Sequence, residues 1–267
     1  MHPSDFLTIA FGTIIGFSLG LTGGGGSIFA VPMLIYGLGT GAREAVSISL
    51  AAVGATSLLG AALRWRAAEL ELRGGIVFAI GGLVGAPLGT AIGKRLPEAL
   101  ILVGFALLMG IVGIRMWRGQ GRPVLRQTRP CGLAEDHRVH LTPRCIAIVL
   151  TTGLSVGVLS GIFGVGGGFI IVPALIFVTG IPIHRAVSTS LLVIAVICAS
   201  GVGSHSLAGE ALPGPLTAFF VGGGFLGMLP GLRLRSRLSG PRLNRIFAVG
   251  MWFVAGFLIV KNTMLIG

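Results

Sequence analysis

The sequence predicts an all-α polytopic membrane protein made of two inverted-topology repeats. Each repeat has a glycine-broken first helix or re-entrant pair plus three full-length helices. Three observations lead there. First, only 10% of the 267 residues are charged and 53% are hydrophobic, with a mean hydropathy of +0.95, whereas soluble proteins carry about 25% charged residues. Second, the chain repeats itself. Pro32 meets Pro173 at an offset of 141, and Ala45-Val46-Ser47-Ile48-Ser49-Leu50 meets Ala186-Val187-Ser188-Thr189-Ser190-Leu191. Third, corresponding loops of the two copies carry unlike charge.

The first half, 1–117, opens with an apolar helix from Asp5 to Leu21. The run Gly23-Gly24-Gly25-Gly26 breaks it, because each glycine costs about 1 kcal/mol relative to alanine in a helix. Bare backbone at membrane depth is tolerated only where protein buries it or it lines a cavity. Ser27 to Leu38 follows and is too short to span a core that needs about 20 residues, so it is a half-helix or one limb of a re-entrant hairpin. Full-length helices run from Glu44 to Ala62, Leu72 to Gly93 and Glu98 to Trp117. After a linker, 118–142, the second half, 143–267, repeats the order: Pro143 to Gly161, a break at Gly164-Val165-Gly166-Gly167-Gly168, Phe169 to Thr179, Arg185 to His205, Pro213 to Leu232 and Pro241 to Lys261.

Glycine is 46 of 267 residues with no Gly-X-Y period, which excludes collagen. Gly12, Gly16 and Gly20 stand four apart, as do Gly153, Gly157 and Gly161. Gly81, Gly85 and Gly89 are matched by Gly223, Gly227 and Gly231. Four-residue spacing puts each set on one helix face, where another backbone approaches closely.

Loop charge orients the segments. The linker region from Arg118 to Arg144 holds six Arg and two acids, and Leu232 to Arg245 holds five Arg. Both are expected on the cytoplasmic side, with the three-Arg loop from Arg64 to Arg73. The loop from Ser204 to Pro215, partner of the last, has no Arg and is expected outside, as are both termini. Lys94 and Arg95 fit this scheme least well. The net charge of +12 thus sits in short loops and does not signal nucleic-acid binding. No signal peptide is evident, so the first apolar segment is read as retained in the inner membrane. Cys131, Cys145 and Cys198 match no metal spacing and are read as free thiols.

Candidate chemistry concentrates at the breaks. Gly24, Gly25 and Gly26 with Ser27, and Gly166, Gly167 and Gly168, precede short helices, whose N-termini favour anions. The hydroxyls of Ser47, Ser49, Ser188, Thr189 and Ser190 lie in the first turns of long helices, where they cap or donate to a ligand. Arg43, His184 and Arg185 stand just before those turns as an electrostatic gate or as interfacial residues reaching headgroups. Only eight acids occur in the chain, none clearly at mid-membrane, which disfavours a cation substrate. His205 and Glu210 are expected in a loop. His137 and His140 lack metal-ligand partners. No dinucleotide fingerprint, nucleophile elbow or phosphate-loop lysine is present, so no cofactor, no metal and no enzymatic activity are expected.

The doubled glycine–proline and Ala-Val-Ser-x-Ser-Leu patterns, Gly23 to Pro32 with Ala45 to Leu50 and Gly164 to Pro173 with Ala186 to Leu191, resemble the TauE/SafE family of sulfite exporter and toluene-sulfonate uptake permeases. The resemblance covers the chain outside the linker. It implies a bacterial inner-membrane permease for sulfite, thiosulfate or an organosulfonate, with the site formed by Gly24 to Ser27, Ser47, Ser49, Gly166 to Gly168 and Ser188 to Ser190. A secondary transporter working by alternating access is the leading expectation. A passive anion channel, or a membrane subunit of a larger assembly, is the alternative. Coupling to protons or another ion, and an oligomer, are left open.

Overall fold

The computed structural model describes residues 3–24, 26–65, 70–118, 131, 142–163, 166–207 and 214–235, with single positions beyond. These form α1 Pro3–Thr22, α2 Ser27–Pro32, α3 Ala42–Trp65, α4 Leu72–Gly93, α5 Glu98–Arg118, α6 Pro143–Phe163, α7 Gly168–Thr179, α8 Ile183–Leu207 and α9 Gly214–Arg235. There is no strand among the described residues, and six of the helices (α1, α3, α4, α6, α8 and α9) are long and apolar enough to cross a membrane. The chain is therefore an all-α polytopic membrane protein. The linker, apart from Cys131 and its two ends, and the expected helix from Pro241 to Lys261, apart from single positions, fall outside the described residues.

Each glycine-broken segment is a helix followed by a short one. Pro32 lies inside the first short helix, which continues as a π-helical turn, Met33–Gly37. Proline removes a backbone donor and crowds the preceding turn, and the looser turn follows it directly. Its repeat mate Pro173 sits within an unbroken α7.

The glycine ladders decide which helices pair. Gly12, Gly16 and Gly20 of α1 face Phe220, Gly224 and Met228 of α9, while Gly223, Gly227 and Gly231 face back on Ile9, Thr13 and Phe17. The residue numbers rise together, so α1 and α9 run parallel. The same holds for α4 and α6: Gly85 and Gly89 meet Leu154 and Val158, and Gly153, Gly157 and Gly161 meet Phe78, Gly82 and Ala86. A Cβ on Gly157 would stand 2.5 Å from the Gly82 carbonyl oxygen and 2.7 Å from its Cα, so only glycine allows this approach. The first helix of each half thus embraces a late helix of the other half. Opposite its glycines, α4 turns Ile76, Ile80, Leu83 and Leu88 outward, an apolar wall of the kind lipid covers.

Between these two pairs lie α3 and α8. They cross with descending numbers: Leu50 packs on Gly201, Gly54 on Cys198 and Gly60 on Leu191. The pair is therefore antiparallel, and its apolar residues Ile48, Leu50, Val53, Leu191, Ile194 and Ile197 are buried in the core. α4 packs on α8 through Gly82, which faces the buried Ile197, and at the exposed edge the Ser200 hydroxyl donates to the Leu83 carbonyl at 2.8 Å.

One expectation about the cysteines is corrected. Cys131 and Cys145 are joined by a disulfide across a sequence separation of 14, and only Cys198 is a free thiol among the described residues. Sequence spacing carries no information on whether two cysteines meet. Here the linker returns Cys131 to the first turn of α6.

Candidate functional site

The two glycine breaks meet. Gly24 and Gly168 lie backbone to backbone, so close that a Cβ on Gly168 would stand 2.6 Å from the Gly24 Cα. All of Gly24, Gly26, Gly166, Gly167 and Gly168 are buried, whereas Gly25 lies outside the described residues. The breaks are not copies of one turn. Gly23 has φ +75° in the first, while Gly166 and Gly167 have φ +66° and +64° in the second. Positive φ is where glycine alone is unstrained, and at one described repeat pair the halves differ: Gly167 has it, whereas its mate Gly26 has φ −64°.

The hydroxyls around the breaks fall into four groups. Two secure the glycine backbone. Ser27 Oγ donates to the Gly24 carbonyl at 2.6 Å, and Ser190 Oγ reaches the Gly23 carbonyl at 2.7 Å and the Val187 carbonyl at 2.8 Å. Thr189 Oγ1 accepts from the Glu71 amide at 2.9 Å, joining α8 to the start of α4. Ser49 Oγ is fully buried and has no hydrogen-bond partner among the described residues. Buried hydroxyls normally have one, so Ser49 stands out as an unpartnered polar group one helical turn before Val53, which lies against Gly166.

The remaining two serines form a repeat-related pair of contacts. Ser47 Oγ lies 3.2 Å from His205 Nδ1. Arg64 donates to Ser188 Oγ at 3.0 Å. Ser47 and Ser188 are equivalent under the 141-residue offset, and so are Arg64 and His205. Each contact joins the start of one central helix to the end of the other, so they sit at opposite ends of the α3–α8 pair. The glycine contact lies between them. His205 is therefore not a loop residue as expected. α8 extends to Leu207, and His205 is buried in its last turn.

The expected electrostatic gate divides. His184 and Arg185 begin α8, on the Arg64 side. Arg43 begins α3, on the His205 side, where it lines an open cleft with about 40 Å³ of room for water-sized molecules. Lys94 and His205 line the same cleft, and an Arg43 N–H donates to the Lys94 carbonyl at 3.4 Å. No acid is among the cleft's lining residues. Its other walls are apolar, including Val31, Ile35, Ile101, Phe105 and Phe163. Phe105 and Phe163 pack with centroids 5.6 Å apart and their rings tilted by 44°.

Sequence reasoning missed Thr90, Lys94 and His205 as cleft residues. For His205 a signal existed: the offset aligns it with Arg64, so both halves carry a basic residue at the same place. For Lys94 and Thr90 no signal existed, because only the meeting of α3, α4, α5 and α6 ends brings them to one cavity.

A family model described as "Sulfite exporter TauE/SafE" matches residues 8–258. A "Probable membrane transporter protein" of Xylella fastidiosa (strain 9a5c) is 36% identical over 97% of this chain and 96% of its own length. The "Probable membrane transporter protein YdhB" of Bacillus subtilis (strain 168) is 26% identical over 84% of this chain and 91% of its own. The span that the family model matches includes both glycine breaks. With the family model covering nearly the whole chain, this protein belongs to the TauE/SafE family of membrane transporters.

Proposed function

We propose that the protein is a secondary transporter that carries a small sulfur-containing anion, such as sulfite or an organosulfonate, across the bacterial inner membrane by alternating access. The observation that carries this reading is the meeting of the two glycine breaks between two repeat-related contacts, Ser47 with His205 and Ser188 with Arg64. The antiparallel α3–α8 pair and the exchanged α1–α9 and α4–α6 pairs support an inverted repeat. In such repeats, rocking about a fixed central site opens each face in turn. In the conformation described, the cleft lies on the His205 side, with the Ser47–His205 contact beside it and the glycine contact deeper.

The substrate would bind where Gly24 and Gly168 now touch. Opening that contact would free backbone on both breaks, and the unpartnered Ser49 hydroxyl of α3 would be available to the substrate. Anion preference is supported by the basic cleft and the scarcity of acids; the sulfur chemistry is supported by family membership. Loop charge supports a cytoplasmic linker and external termini. No nucleotide-binding motif occurs in the sequence, which supports secondary transport.

The test is counterflow in proteoliposomes. Protein loaded inside with unlabelled sulfite, thiosulfate, taurine or sulfoacetate is offered a trace of the same labelled anion outside. Transient accumulation against unlabelled substrate supports a carrier. Flux without trans-stimulation assigns a channel, and absence of flux for every sulfur anion refutes the substrate class.

A further inference from the structure

The two contacts at the ends of the central helix pair share one hydrogen-bond pattern. Ser188 Oγ donates to the His184 carbonyl at 3.1 Å and accepts from Arg64 at 3.0 Å. Ser47 Oγ donates to the Arg43 carbonyl at 3.2 Å and lies 3.2 Å from His205 Nδ1. Every position is matched at the offset of 141: Arg43 with His184, Ser47 with Ser188, and Arg64 with His205. The first pair contributes backbone carbonyls. The last pair contributes side chains, and there the two ends differ in kind.

A serine hydroxyl has one proton to donate. With that proton on the Arg43 carbonyl, Ser47 Oγ can only accept, so His205 must donate through Nδ1. The imidazolium always has a proton there, whereas the neutral ring has it in only one of two tautomers. A charged donor also makes the stronger hydrogen bond. Arginine is always charged, while histidine is the side chain that changes charge between pH 5 and 8. One end of the helix pair therefore has a fixed cation and the other a switchable one.

The neighbours of His205 leave it as the switchable group on its side. It is buried in the last turn of α8. Arg43 of α3 and Lys94 at the end of α4 are the other basic residues that line the cleft with it. α2, α5 and α6 line the cleft with apolar residues and glycine, and neither an acid nor a second histidine is among the lining residues. Glu44, which follows Arg43, is exposed and lies outside the lining.

We infer that His205 is a proton-operated gate residue: its imidazolium fastens the end of α8 to the start of α3, and loss of the proton loosens that joint while the Arg64–Ser188 joint stays fast. The imidazolium is the low-pH form, so acid holds the His205 side shut and alkali releases it. This rests on the proposed alternating access and deepens it, because only one of the two faces then answers to pH.

The experiment measures the distance between spin labels by double electron–electron resonance, on full-length protein in nanodiscs of zwitterionic lipid without added anion. The labels sit on Glu44→Cys and Ser206→Cys, two exposed positions at the helix ends that the contact joins. Cys198, the free thiol, is buried, and protein without the two substitutions gives the background. From pH 8 to pH 5 the ratio of short to long distances is expected to rise roughly fivefold, the advantage of a charged over a neutral hydrogen bond. His205→Arg copies the other end and is expected to keep the short distance at both pH values. His205→Gln, which donates without charge, is expected to show no pH response. A wild-type distribution that ignores pH overturns the inference, and so does a pH response that persists in His205→Gln. Because no anion is present, a pH response without counterflow refutes the transport reading alone, and counterflow without a pH response refutes the gate alone.

Discussion

Replacing Gly168 by alanine adds one methyl at the contact between the two breaks, and the structure sets its cost. The new Cβ would stand 2.6 Å from the Gly24 Cα, 2.7 Å from the Gly24 carbonyl oxygen and 2.7 Å from Ile194 Cδ1. Carbon atoms in favourable contact are about 3.5–4.0 Å apart, so the breaks must separate by about 1 Å. Ile194 has a flexible end that can rotate away, but Gly24 presents backbone. Overpacking of this kind costs about 1–3 kcal/mol. Gly222→Ala is the internal control: it lies within α9 with nothing within 4 Å of its added Cβ, and should gain about 0.5–1 kcal/mol from lower backbone entropy. The two variants should therefore differ by roughly 1.5–4 kcal/mol in stability, since these two terms have opposite sign. At about 2–4 °C per kcal/mol, melting curves in detergent resolve this gap. Counterflow in proteoliposomes is then run on both. Gly168→Ala is expected to melt lower and to lose most flux, Gly222→Ala to retain it. If Gly168→Ala matched Gly222→Ala in melting temperature and flux, the glycine contact would be neither tight nor functional, and the reasoning would be wrong.

Four further outcomes are expected. Gly157→Leu should drive α4 and α6 apart, because Gly82 backbone occupies the space; the check is monodisperse yield on size-exclusion chromatography, against a Gly222→Leu control. Ser190→Ala removes the hydroxyl that joins α8 to the Gly23 carbonyl and should destabilise by about 1–3 kcal/mol, the cost of stranding a buried acceptor, read as a lowered melting temperature. Ser49→Ala, which strands no partner among the described residues, should leave melting unchanged yet lower anion affinity; unaltered affinity would remove Ser49 from the site. Reduction of the Cys131–Cys145 bridge, which closes a loop of 14-residue separation, should cost about 3 kcal/mol. Because disulfides persist in oxidising compartments while loop charge is the ground for proposing a cytoplasmic linker, labelling intact cells with an impermeant thiol reagent, with and without reductant, tests both the bridge and its side.

What the sequence by itself determined is what repeats with a local period. Apolar runs of about 20 residues mark spanning helices, since each residue must be lipid-compatible wherever the helix lies. Glycines four apart mark contact faces, because that spacing lies on one side of any helix. The breaks at Gly23 to Gly26 and Gly164 to Gly168 are legible for the same local reason, and the offset of 141 pairs them. Helix ends proved less legible. His205 was assigned to a loop because nothing local marks where α8 stops, and its last turn is held by packing against α3.

Only the tertiary structure decided which faces meet. The ladders of α1 and α6 could have paired within their own half; instead they pair with α9 and α4, because backbone contact is set by the shape of whole helices and by the core between them. That choice turns α3 and α8 antiparallel, brings Gly24 onto Gly168, and sets Ser47 on His205 and Arg64 on Ser188. It also gathers Arg43, Thr90 and Lys94 from two helix ends into one cleft. Their separation along the chain, 43 to 94, leaves no periodic trace, so a site built from three-dimensional proximity stays invisible until the fold has closed.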